Sequence, residues 1–143
     1  MPPADEKTLI VGTWKLVSVM YEDQETKAQT PVFGDHPRGY QIATADGRWI
    51  ALATPSERPV PKTDAERAQA FQRMIAYSGR YRVDGSTITT KVEVAWNEAW
   101  VGGEQVRHIR FEGDRLFIES PPMPHPNVNS RVVRVIVTWQ RER

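Results

Sequence analysis

The chain of 143 residues contains no cysteine. Disulfides, thiol nucleophiles and thiolate metal sites are therefore excluded. It lacks an excess of either charge: 19 basic and 18 acidic residues leave +1 at pH 7. That balance provides no electrostatic footprint for nucleic acid or for an anionic membrane. No apolar run is long enough to span a bilayer. The opening Met1-Pro2-Pro3-Ala4-Asp5-Glu6-Lys7 also lacks the apolar core of a signal peptide, so a cytoplasmic protein is expected. Histidine is scarce. His36, His108 and His125 stand far apart, with no His-x-His or His-x-x-x-His spacing, so no metal is expected. There is no Gly-x-Ser-x-Gly elbow, phosphate loop or dinucleotide fingerprint, and no cofactor is expected.

What is present is alternation, punctuated by aromatic residues. Gly12-Thr13-Trp14 opens the first alternating run and Trp139-Gln140-Arg141 closes the last. This pairing is expected where the first and last strands of a small antiparallel barrel lie side by side. Gly lets the backbone turn in, Trp plugs the barrel floor, and Arg lies across an indole face. The length suits one domain, residues 1–143, with residues 1–8 as a polar arm.

Along the chain, strand one is expected from Thr13 to about Tyr21. Strict alternation puts Trp14, Leu16, Ser18 and Met20 on one face and Val17, Val19 and Tyr21 on the other. Residues 22–38 read as a loop. Gly39 to Ala53 reads as a hairpin turning at Ala45-Asp46-Gly47. Three prolines exclude Pro55–Lys62 from a central strand. Thr63-Asp64-Ala65-Glu66 fits a capping box, so a helix is expected over about residues 64–78. Ala68, Phe71, Met74, Ile75 and Ser78 would be its buried stripe and Gly79 its stop. Five more strands follow: Arg80–Val83, Ser86–Trp96, Glu104–Phe111, Leu116–Ser120 and Arg131–Gln140. Asp84-Gly85, Gly102-Gly103 and Gly113-Asp114 are the reversals between them. The sum is all-β: an eight-stranded antiparallel up-and-down barrel with one inserted helix.

The order of several short motifs resembles the bacterial and fungal lipocalin-like domain family. They are Gly12-Thr13-Trp14-Lys15-Leu16-Val17-Ser18, Gly39-Tyr40 leading to Asp46-Gly47-Arg48, and Ala76-Tyr77-Ser78-Gly79-Arg80-Tyr81. Val92-Glu93 followed by Trp100-Val101-Gly102, then Gln105-Val106-Arg107, then Gly113-Asp114-Arg115-Leu116 complete the set. The resemblance implies a lipocalin-like barrel with an interior pocket and transfers fold better than activity. It also implies a histidine pair on the fifth strand, where this chain has Thr90-Lys91. Chemistry carried by those histidines does not transfer.

Arg107 is the sharpest candidate for a site. The two-residue period sets Gln105, Arg107, Ile109 and Phe111 on one face, and Val106, His108 and Arg110 on the other. The bulky apolar pair turns the first face inward. An inward guanidinium calls for a carboxylate or for a ligand oxygen. Glu93 is the other catalytic candidate. Alternation groups it with Thr89 and Lys91, opposite Ile88, Val92, Val94 and Trp96, and so places it in solvent unless a bulge reverses the phase. Tyr40, Trp49, Tyr81, Trp96 and Trp100 are candidates to line a pocket, with Arg107 and Gln105 as its polar groups. The Pro121-Pro122-Met123-Pro124-His125-Pro126-Asn127 segment can edge the barrel mouth.

Two functions fit. One is a barrel binding a small, partly aromatic or hydrophobic molecule. The other is a cofactor-independent isomerase, cyclase or hydratase/dehydratase acting on a secondary metabolite or aromatic compound in the same cavity. The expected partner is that small molecule alone, with the protein a monomer or homodimer.

Overall fold

A computed structural model describes residues 6–125 and 128–142. A helical turn, α1 (Glu6–Leu9), precedes β1 (Gly12–Asp23), a short β2 (Gln29–Pro31), β3 (Arg38–Ala43) and β4 (Arg48–Thr54). Helix α2 (Asp64–Gln72) leads into β5 (Ile75–Asp84), β6 (Thr87–Ala95), β7 (Glu104–Glu112), β8 (Arg115–Glu119), a short β9 (Met123–Pro124) and β10 (Val132–Arg141). Neighbouring strands are antiparallel in the order β1-β3-β4-β5-β6-β7-β8-β10, and pairing of β10 with β1 closes an eight-stranded barrel. The two short strands lie in segments that read as loops in the sequence. β2 extends the edge of β1 and β9 that of β10.

The first and last strands meet as their end residues imply. Trp14 is fully buried opposite Arg141, whose guanidinium carbon sits 4.2 Å from the centre of an indole ring. The Trp14 indole N–H donates to the Ile10 carbonyl at 2.9 Å, and Arg141 donates to the carbonyls of Val11 (3.0 Å) and Leu9. Gly12 has φ of +137°, and a Cβ there would touch the Arg141 guanidinium at 3.0 Å. Glycine is needed both for the turn and for the arginine.

Two bulges correct the strict alternation. The register of β1 against β10 slips between Leu16 and Ser18, leaving Val17 as an extra residue. Val19 and Tyr21 therefore return to the side of Trp14 and Leu16, and all four are buried. The register of β6 against β5 slips between Ser78 and Gly79, where Val92 and Val94 take successive partners and Glu93 is extra. Val92 stays buried, while Val94 turns outward and is 65% exposed. Gly79 sits at this slip. A Cβ there would lie 1.8 Å from the Lys91 carbonyl oxygen, so the strands cross too closely for any side chain.

Helix α2 begins as its sequence dictates. Thr63 Oγ1 accepts the Glu66 N–H at 3.1 Å, and Glu66 Oε1 accepts the Thr63 N–H at 3.0 Å. It ends six residues before the expected Ser78, and none of its residues is buried. Ile75 and Tyr77 pair with Ala53 and Ala51 of β4 instead. A nine-residue helix is marginal on its own, and a ladder partner for β-branched Ile75 and aromatic Tyr77 outweighs another helical turn.

Candidate functional site

The barrel encloses a cavity of about 1000 Å³. Its size follows from the inward residues of β3 and β4. Gly39, Ala43, Ala51 and Ala53 point in, while Tyr40, Ile42, Ile50 and Leu52 point out and are 40–50% exposed. Apart from Gln41 and Trp49, the inward residues of these two strands are small and the outward ones large, which leaves space where a core would be.

The mouth is aromatic. Trp96 and Trp100 stand 4.8 Å apart edge to face, Trp100 lies 5.4 Å from Tyr77, and Phe71 at the end of α2 lies 6.3 Å from Trp96. The Trp96 indole N–H donates to the Phe71 carbonyl at 3.0 Å, tying the helix to the rim. Trp100 is held by a short 3₁₀ turn, Glu98–Trp100, capped by the Asn97 side chain on the Ala99 N–H. On another part of the wall the Tyr21 and His125 rings pack 4.7 Å apart at a tilt of 49°, with the Tyr21 hydroxyl 3.4 Å from His125 Nε2.

Inside, Arg107 is the decisive group. It faces the cavity from β7, beside Ile109 on the same inward face. It donates to the Val106 carbonyl at 2.9 Å and to Gln105 Oε1, and forms no ion pair with a carboxylate of any described residue. Burial lowers its pKa and the nearby Tyr77 raises it. Burial pushes the Tyr77 phenol up, while the neighbouring Trp49 indole and Arg107 pull it back. Trp49 thus lies close to the Tyr77 hydroxyl without being aligned in a hydrogen bond. None of the described residues lining the cavity is Asp or Glu.

A second polar group is Gln41, on β3. Its side chain is fully buried and lines the cavity, and neither Nε2 nor Oε1 meets a partner among the described residues. The indole N–H groups of Trp49 and Trp139, also on the cavity wall, are unpaired in the same sense.

The expected site residues divide. Arg107, Trp49, Trp96 and Trp100 line the cavity. Gln105 does not line it, and instead accepts from Arg107. The Tyr81 hydroxyl is committed to the Thr44 carbonyl at 2.7 Å, with its ring packed 6.0 Å from Trp49. Tyr40 stands on the outer face, 47% exposed. Glu93 projects from its bulge to meet Arg48 at 2.7 Å outside the barrel, and does not meet Arg107. His108 is outside as well, near Glu119 with Arg110. Of the proline-rich segment, Met123 and His125 reach the cavity wall. Pro126 and Asn127 lie outside the described residues, as do residues 1–5 of the expected arm. The arm's remainder enters α1.

Sequence reasoning missed two residues, Tyr77 and Gln41. Tyr77 was hidden inside the expected helix. Gln41 sits between Tyr40 and Ile42, whose bulk suggests that their face is the buried one.

With this geometry in place, the whole barrel matches the lipocalin-like domain family over residues 11–142. The chain belongs to that family. It is also 33% identical, over 88 residues, to a 4'-hydroxy-3'-methoxypropiophenone carrier protein of Aspergillus oryzae, spanning 55% of this chain and 77% of the relative. No helix among the described residues is long and apolar enough to cross a membrane, and they include no cluster of three or more His, Asp or Glu able to hold a metal.

Proposed function

We propose that this lipocalin-like protein binds a small aromatic carbonyl compound in its barrel and carries it unchanged. The observation that carries this reading is Arg107: a cavity-facing guanidinium beside the Tyr77 hydroxyl, with no carboxylate partner among the described residues. A partly buried, cavity-facing cation of that kind suits a ligand oxygen that is anionic or strongly accepting, and the planar fork can hold it with two N–H groups. The aromatic mouth and walls suit a flat ring beyond that oxygen. The carrier named among the relatives points to the same chemistry, since its named cargo is an aromatic ketone.

Carriage is favoured over catalysis by the state of Tyr77. Burial keeps its phenol protonated, so it serves as a hydrogen-bond donor at neutral pH and not as a base. Catalytic proton abstraction would call for a base close to Arg107; among the described residues no carboxylate lines the wall, and the lining His125 is engaged with Tyr21.

Trp49, Trp96, Trp100 and Trp139 line the cavity, so a bound ring will quench or shift indole fluorescence. Titration with 4'-hydroxy-3'-methoxypropiophenone should give saturable 1:1 quenching, and the compound should be recovered intact after prolonged incubation. Absence of saturable binding overturns the assignment of an aromatic carbonyl ligand. Conversion of the compound overturns carriage in favour of an enzyme.

A further inference from the structure

The Gln41 amide has no evident structural task. It is fully buried, yet bonds to none of the described residues at either end. A buried amide with both ends unpaired is costly, and a leucine of similar size would fill the place without that cost. Its position is equally specific. In the ring β1-β3-β4-β5-β6-β7-β8-β10, four steps lead from β3 to β7 through β4, β5 and β6, and four through β1, β10 and β8. Gln41 and Arg107 therefore stand on opposite walls of one cavity. Trp49 is the diagonal cross-strand neighbour of Gln41 on the same inward face, since Gln41 pairs with Ala51. Its N–H lies by the Tyr77 hydroxyl, beside Arg107, which leaves the Gln41 amide as the anchor of this wall.

We propose that Gln41 is a second polar anchor and that the ligand carries a hydroxyl group on the end of its aromatic ring remote from the oxygen held by Arg107. This deepens the reading of an aromatic carbonyl ligand and rests on it. The reason for a hydroxyl is the amide itself. An amide offers N–H donors and a carbonyl acceptor side by side. An ether or ketone would satisfy only the donors and leave Oε1 orphaned. A hydroxyl accepts from Nε2 and donates to Oε1. Placement on opposite walls then sets the two oxygens across the ring from each other, in a para relation. Rejection of the ligand lacking the hydroxyl follows from the cost of leaving the amide desolvated and unpaired.

The test uses three probes: propiophenone, 4'-hydroxypropiophenone and 4'-methoxypropiophenone, each titrated by tryptophan fluorescence. Wild-type protein should bind the hydroxyl probe at least about tenfold more tightly than either of the others. In Gln41→Leu this advantage should vanish, while propiophenone binds as well as before or better. The empty variant should melt at the same temperature or higher, because an unpaired buried amide has been removed. A purely structural role for Gln41 would instead lower the melting temperature and weaken all three probes alike. Should Gln41→Leu fail to fold, Gln41→Met takes its place in the same titrations, and failure of both to fold overturns the inference, because a group that folding needs has a partner of its own. Equal affinity for the hydroxyl and unsubstituted probes, with binding still dependent on Arg107, overturns the hydroxyl anchor and leaves the aromatic carbonyl reading standing. Failure of all three probes to bind overturns both.

Discussion

Among the described residues no carboxylate lines the cavity around Arg107, and its hydrogen bonds go to Val106 and Gln105 on the same strand. Folding therefore gains little from it, and its value lies in the ligand. Arg107→Lys keeps the charge and loses the planar fork. It should weaken binding of 4'-hydroxy-3'-methoxypropiophenone at least about tenfold, on the order of 1.4 kcal/mol, with a near-normal melting temperature. A lower melting temperature with unchanged affinity would move Arg107 from recognition to structure. Tyr77 makes a complementary prediction in pH. Burial raises its pKa above the ordinary value of 10.0, so the folded protein holds the phenolic proton more tightly than the unfolded chain does. The corresponding stability is complete below about pH 10 and is lost as pH rises toward the folded value. Tyr77→Phe should remove this contribution to the alkaline limb. Melting measured from pH 8 to 11 should fall more steeply in wild type than in the variant.

At the scale of the elements, bulges and a short helix decide which side chains meet. The slip at Glu93 turns Val94 outward, while Glu93 stays on the outer face against Arg48 and Val92 stays inside. It depends on Gly79, where the β5 backbone passes so near Lys91 that an added Cβ would overlap its carbonyl oxygen. Gly79→Ala must separate the strands or abolish the bulge, and should cost more than about 3 kcal/mol. Urea unfolding will measure it, and a loss under 1 kcal/mol would show that β5 and β6 can part without penalty. The early end of α2 has a functional consequence too. It frees Ile75 and Tyr77 for β5, places Tyr77 opposite Ala51, and leaves Phe71 to lean on Trp96 at the mouth. A helix continued to Ser78 would have removed Tyr77 from the site.

For the molecule as a whole, closure is concentrated where β1 meets β10. Arg141 ties the last strand to the Leu9 and Val11 carbonyls and covers Trp14. Arg141→Ala would leave those acceptors without their charged donor and expose the indole. The expected loss is about 3 kcal/mol, from two charge-assisted bonds and one cation–π contact. For a chain of this length that corresponds to a drop of roughly 10 °C in melting temperature. Calorimetry will show it, and a shift below about 2 °C would mean that the strand ladder alone closes the barrel.

The sequence by itself determined the barrel, its closed end, the capping box and the inward direction of Arg107. Each of these depends on local chemistry or on a two-residue period that holds over a few residues. The turns likewise depend on short Gly-containing dipeptides such as Asp84-Gly85 and Gly113-Asp114, which sit at the hairpin reversals. Other features were decided only by tertiary structure. The bulges at Val17 and Glu93 reverse the phase of alternation, and nothing in the residues flanking them marks the slip; it comes from the fit of each strand to its neighbour. The outer face of β3 carries the bulky Tyr40 and Ile42 because this barrel surrounds a cavity, so hydrophobic bulk alone indicates the wrong side for Gln41. Tyr77 joins the site because pairing with β4 outweighs the helical preference of the preceding segment. Those are competitions between contacts distant in sequence, and only the folded chain resolves them.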